Sequence, residues 1–225
     1  MVGVRLDLHV HSVSSPDSVL TLDAIASGIA AAGLDGFALT DHNTTAGHSG
    51  IAALRERFPH LLIVPGIEVS TLEGHLLAFG ITMAPPAGLP AAGAIEWVRS
   101  RGGVTALSHP FRLSHGVGEV LAETLKVDAI ETVNGHNSAA TNEKARRVAG
   151  RRGLATTGGS DSHQRADLGR AYTTFPAGTN TVEEVLRALR EKATVAEGRP
   201  LTWFGRLRHE LRTALLRLRR GGRPI

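Results

Sequence analysis

The sequence predicts an α/β fold with a mostly parallel sheet, in a number of strands that suggests a barrel more than an open sheet, although periodicity alone does not close it. Three observations predict it. Short apolar runs alternate with segments of helical period along most of the chain, the pattern of βαβ units. About seven of these runs read as strands, a number that favours a barrel. At 225 residues, 42% of them hydrophobic, the chain is long enough to bury the core of one large domain.

Taken in order, "VRLDLHV" is the first strand. "TLDAIASGIAAAG" is a helix, with Thr21 as its N-cap and Gly33 at its C-terminal stop. "GFALTDH" is the next strand and "TAGHSGIAALRERF" the next helix. "LLIVPGIEVS" and "HLLAFGI" are strands joined by the tight turn "TLEG". The stretch "APPAGLPAAG" leads into the helix "AIEWVRSRG", and "GVTALSHP" is a strand. A helix near "GEVLAETL" precedes the strand "VDAIETVN", and "AATNEKARRVAGRRG" is helical. "LATTGGSD" and "RAYTTF" are strands, and "TVEEVLRALREK" is the last helix of the body.

The composition shifts once, after "EGRP". Residues 201–225 hold seven arginines and one glutamate and so carry +6 of a total of +4, which leaves −2 for residues 1–200. The body, residues 1–200, is therefore one domain that need not bind nucleic acid, and the basic character belongs to a tail. In that tail Phe204, Leu207, Leu211, Leu215 and Leu218 recur at helical spacing, as in a basic amphipathic helix. It packs on the barrel or a second subunit, or else meets an anionic membrane surface or a phosphate backbone. The sequence has no apolar run long enough to span a bilayer, and "MVGVRLDLHVHS" reads as part of the fold. Cysteine is absent, which removes disulfides, thiolate ligands and cysteine nucleophiles and fits a cytoplasmic setting.

Histidines and carboxylates recur at the ends of the strands. His9 and His11 share a strand face at i and i+2. Asp41 and His42 end "ALTDH", Glu68 lies late in "VPGIEVS", His75 in "EGHLLAFG" and His109 in "TALSHP". Asp161 and His163 repeat the i, i+2 spacing, and Asp17 lies in the loop after the first strand. Unrelated buried histidines would explain one or two of these. Metal binding explains the set, because neutral imidazole and ionised carboxylate are ligands of Zn²⁺, Mn²⁺ and Fe. Six histidines and three carboxylates suit two or three divalent ions.

The order H-x-H-S, Asp, T-D-H, G-I-E, G-H, S-H-P and S-D-x-H resembles the polymerase-and-histidinol-phosphatase (PHP) family, from about Arg5 to Pro200. The resemblance implies a distorted (β/α)7 barrel with up to three metals at its mouth. It further implies that His9, His11, Glu68 and Asp161 hold the first metal. Glu68 then bridges to a second held with His75 and His109, and Asp17, His42 and His163 hold a third.

Bound divalent ions supply a hydroxide nucleophile near neutral pH and stabilise phosphoryl oxygens, so phosphate-ester hydrolysis is the natural reaction. Glu68 and Asp161 stand at its centre. Arg112 in "SHPFR" is either a phosphate clamp or a surface arginine, with Arg165 and Arg170 weaker candidates of the same kind. His136 in "ETVNGHN" is either a general acid or a solvated loop histidine, and Asn134 beside it faces the mouth. Asp41 either orients an imidazole or caps the next helix. His48, His60, His115 and His209 read as structural or exposed. The expected substrate is a small phosphate monoester or a nucleotide, with histidinol phosphate as a special case. The competing readings are a metallohydrolase acting on a carbamate or non-phosphate ester, and an adaptor working through the basic tail.

Overall fold

The computed structural model describes residues 3–202 together with 205 and 211. The amphipathic helix expected in the tail, and His209 with it, lie outside the described residues, except that Gly205 and Leu211 are helical. Leu201 is buried and donates its N–H to the Gly135 carbonyl at 2.7 Å, so the body reaches at least one residue past the expected boundary.

The strands are β1 (Val4–Val10), β2 (Gly36–Leu39), β3 (Leu62–Ser70), β4 (His75–Phe79), β5 (Val104–Leu107), β6 (Ala129–Asn134), β7 (Ala155–Gly159), β8 (Ala171–Phe175) and β9 (Val195–Gly198). They form one sheet in the order β7-β6-β5-β4-β3-β2-β1-β8-β9. The sheet nearly closes on itself where β1 meets the segment after β7. There the Asp161 N–H bonds the His9 carbonyl at 2.7 Å and the His11 N–H bonds the Ser162 carbonyl at 3.1 Å. Buried Asp7 reinforces this seam, accepting from the backbone N–H groups of Ser160 (2.8 Å) and Gly169 (3.0 Å) and from the Ser160 hydroxyl.

Two expectations are corrected. Among the described residues there are nine strands against about seven expected: each of the eight runs named above contains one, and the short and largely exposed β9 gives no apolar signal. The sheet is also not mostly parallel: β1–β2, β2–β3, β5–β6 and β6–β7 are parallel, while β3–β4, β4–β5, β1–β8 and β8–β9 are antiparallel. The tight turn after β3 leaves no room for a crossover, so β4 must reverse. No full helix follows β7 either, and β8 folds back along β1.

The helices are α1 (Leu22–Ala31), α2 (Ile51–Arg57), α3 (Ala91–Arg99), α4 (Gly118–Thr124), α5 (Ala139–Arg152) and α6 (Val182–Arg190). Their ends follow from sequence: the Thr21 hydroxyl accepts from the Ala24 N–H, and Gly153 ends α5 in the left-handed region at φ 58°. Thr181 and Glu184 form a reciprocal capping box on α6. Leu6, Leu8, Val64, Leu77 and Ala106 from neighbouring strands pack with Val185 and Leu189 of α6 in one core cluster. α1 and α2 cover β1–β3 through Ile25, Ile29 and Leu54, and α3 and α5 cover the other half through Ile95, Val98 and Val148. No helix among the described residues is long and apolar enough to cross a membrane.

Candidate metal centre

The barrel brings all nine candidate ligands to one end, each of them buried. β1 delivers His9 and His11, and the segments just past β2, β5 and β7 deliver His42, His109, and Asp161 with His163. His75 arrives by another route: β4 runs antiparallel, so its first residue, not its last, reaches the mouth.

Glu68 is the hub. Its Oε2 lies 3.1 Å from His9 Nε2, 3.3 Å from His11 Nε2 and 3.2 Å from His42 Nδ1. Its Oε1 lies 3.0 Å from His75 Nδ1 and 2.9 Å from His109 Nε2, and accepts from the Ser108 hydroxyl at 2.7 Å. Asp161 Oδ1 closes the first group, 3.4 Å from His9 Nε2 and 3.3 Å from His11 Nε2. His163 Nε2 and His42 Nε2 stand 3.3 and 3.8 Å from Asp17 Oδ2.

Donor atoms fall into three overlapping groups, each spanning at most 4.8 Å: His9, His11, Glu68 and Asp161; His42, Glu68 and His75; His11, His42 and His163. The first is the set expected for one metal. The other two redistribute the rest, with His42 turned toward Glu68 as well as Asp17 and His11 stacked at 4.4 Å on both His42 and His163.

The donors fit cations on a direct test. His9 Nε2, His11 Nε2, His42 Nδ1 and Glu68 Oε2 are buried and converge, yet none meets hydrogen-bond geometry with another polar atom. Buried polar atoms are otherwise almost always satisfied. A divalent ion with N and O ligands answers all four at once.

The carboxylates of the site favour positive charge on the imidazoles nearest them. Burial works against an imidazolium at His11, but the Asp161 and Glu68 carboxylates outweigh it and hold His11 up to about 9. Burial likewise opposes charge at His9, which Asp161, Glu68 and Glu131 raise well above the ordinary histidine value. Burial and then Arg112 push His109 down to about 4, and burial drives His42 well down. Burial would raise Glu68, Asp161 and Asp17, but the surrounding imidazoles, and Arg112 at Asp161, hold all three below the usual carboxylate range.

A second layer grips the ligands. Asp41 neither caps a helix nor touches an imidazole. It accepts from the Ser12 N–H (2.6 Å), the Ser12 hydroxyl (2.7 Å) and the Ser15 hydroxyl (2.8 Å), and Ser15 Oγ lies 3.2 Å from His11 Nδ1. It thus acts on a ligand through Ser15. Glu131 on β6, unremarked in the sequence, accepts from His9 Nδ1 at 2.9 Å and from the His109 N–H at 2.8 Å. The available signal was a lone acid inside the strand "AIETVN", and for Asp7 the period-two face shared with His9 and His11.

Arg112 is no surface arginine. Its Nη2 donates to Asp161 Oδ2 at 2.7 Å and to Asn134 Oδ1 at 2.8 Å, and its Nε donates to Asn137 Oδ1 at 3.2 Å. Nη1 makes no hydrogen bond among the described residues. Asn134 also donates to Asp161 Oδ2 at 3.2 Å and so does face the site. His136 is not a solvated loop histidine either: it is buried, 3.8 Å from Asp167 Oδ2 and edge-on to His163. Arg165 is exposed, and Arg170 lies outside the donor groups. His60 is exposed and His48 bonds the Gly66 carbonyl, whereas His115, though exposed, stacks on His75 at 4.5 Å.

Comparison with known proteins places this geometry. The PHP-associated family model matches residues 139–194. An uncharacterized protein of Methanocaldococcus jannaschii is 31% identical over 185 residues, spanning 76% of this chain and 70% of that protein. The phosphoribosyl 1,2-cyclic phosphate 1,2-diphosphodiesterase of Eggerthella lenta is 37% identical over 87 residues, 36% of this chain and 32% of that enzyme. Among solved structures, PsfC from Pseudomonas syringae superposes with a TM-score of 0.73 at 19% identity, covering 97% of this chain and 99% of that one.

Proposed function

Because the chain belongs to the PHP family, we propose that it is a metal-dependent phosphoesterase that hydrolyses a small phosphate monoester or a nucleotide. The observation that carries the reading is the convergence of unsatisfied imidazole and carboxylate atoms on Glu68. His9, His11, Glu68 and Asp161 would hold one ion, and the remaining histidines with Glu68 and Asp17 would hold one or two more. Such ions, when bound, supply a nucleophile from water and neutralise phosphoryl oxygens.

The chain's own residues do the rest. Glu68 gathers imidazoles at both carboxylate oxygens and would be shared by the ions that they hold. Arg112, anchored at Nε and Nη2, keeps Nη1 as a donor for a phosphoryl oxygen. Beside it an open surface depression lined by Phe111, Leu113, Thr141 and Lys144 leaves room for the esterified group.

The carbamate or non-phosphate ester reading was tied to a site without guanidinium. Arg112 at Asp161 counts against it, and the kinship with a phosphodiesterase favours phosphate. The test is to strip the full chain of metal and reload it with manganese, iron or zinc. Hydrolysis of phosphate monoesters, nucleotides, short oligonucleotides and carbamates is then measured. Metal-dependent release of phosphate supports the proposal, and hydrolysis confined to the carbamates overturns it.

A further inference from the structure

We propose that Glu131 is a positioning residue that fixes the ligand atom of His9 and holds the backbone of His109. This rests on the metal-binding reading above but not on the identity of the substrate.

Glu131 sits in the middle of β6 with its carboxylate buried. A buried carboxylate is costly unless its oxygens are satisfied, and here donors from β1, from the segment just past β5 and from the end of β6 itself satisfy them. His9 Nδ1 donates to Oε1 at 2.9 Å. The His109 backbone N–H donates to Oε2 at 2.8 Å, and Asn134 Nδ2 donates to the same oxygen at 3.0 Å. Asn134 Nδ2 also reaches Asp161 Oδ2. One side chain on β6 therefore touches or reaches through one neighbour the ligands carried by β1, β5 and β7.

The first bond selects an atom. With Nδ1–H committed to Glu131, His9 has only the Nε2 lone pair for a cation, and Nε2 is the atom aimed at Glu68 and Asp161. The second bond holds strain. Among the described residues His109 is one of five non-glycine residues with positive φ, at 29°. Such a conformation persists only where the surroundings over-determine it. At His109 the Glu131 oxygen captures the N–H.

The test uses the full chain loaded with zinc, which is diamagnetic. Nitrogen-15 NMR of the imidazoles should show His9 protonated at Nδ1 and bound through Nε2, and binding of zinc through Nδ1 overturns the proposal. Glu131→Gln keeps the size but turns one acceptor into a donor. It should lower zinc affinity about 10- to 100-fold in chelator competition and disturb the His9 Nδ1–H resonance, with far-ultraviolet circular dichroism unchanged. Wild-type affinity and an unshifted resonance overturn the proposal. If the variant does not fold, the wild-type resonance still decides. Zinc bound as proposed by a chain inert on phosphate esters would remove the phosphoesterase reading and leave this one standing.

Discussion

His9 and Glu68 meet at the barrel mouth with Nε2 3.1 Å from Oε2, close enough to interact but not in hydrogen-bond geometry. On the proposed reading both are ligands of one ion. Glu68 meets His11 and His42 in the same way, so its carboxylate is the part of the site with no substitute. Glu68→Gln keeps the shape and removes the charge. We expect divalent-metal affinity to fall by at least about 100-fold, above what loss of an outer partner costs, and hydrolysis to fall with it. Chelator competition followed by elemental analysis of the washed protein checks this, and wild-type metal content would contradict it.

Metal binding should release protons. His11, held up to about 9 between carboxylates, is protonated in the metal-free chain at pH 7 and must lose that proton to become a ligand. Apparent metal affinity should rise with pH and level off near 9. The metal-free fold runs the other way. A histidine raised above its unfolded value of 6.5 stabilises fully below that value, and the contribution is lost as pH rises through about 9. Calorimetry at pH 7 in buffers of different ionisation enthalpy measures the release, and an identical heat in all buffers would refute it.

Arg112 offers a sharper chemical contrast. Lysine keeps the charge but cannot bond Asp161, Asn134 and Asn137 while presenting a further donor. Arg112→Lys should therefore lose about 2 kcal/mol of transition-state binding, roughly 30-fold in kcat/KM on a phosphate monoester. Metal content should change little. Steady-state kinetics beside elemental analysis separates the two effects.

Much of this site was legible because ligands must be particular residue types at strand ends, and such residues stand out against apolar runs. The i, i+2 pairs at His9 and His11 and at Asp161 and His163 are of this kind. What supports the ligands was less legible. Glu131 and Asp7 are lone acids inside largely buried strands, and only the nearly closed sheet reveals that His9 and Ser160 lie against them. The burial of His136 was not legible, because a loop residue's burial depends on what packs over it. β9 escaped because a short, exposed strand has no alternation to read. The division of ligands among ions depends on side-chain direction, and spacing along the chain does not encode it.

The seam between β1 and β7 gives a final prediction, because it couples fold to site through one glycine. A Cβ on Gly159 would lie 2.3 Å from His9 Cβ and 2.7 Å from the His9 backbone nitrogen. The obstruction includes backbone, so no rotamer relieves it, and the strands must part by breaking the bond from Asp161 N–H to the His9 carbonyl. Gly159→Ala should cost about 3 kcal/mol, the upper end for overpacking, and weaken metal binding by moving His9 away from Asp161. Gly153→Ala supplies the control. Gly153 has φ 58° with nothing within 4 Å of the added carbon, so only backbone strain of about 1 kcal/mol is expected. Urea unfolding of the metal-free proteins and chelator competition on the loaded ones should show both losses for Gly159→Ala and only the smaller stability loss for Gly153→Ala. Equal metal affinity in the two variants would mean that the β1–β7 seam does not set the distance between His9 and Asp161.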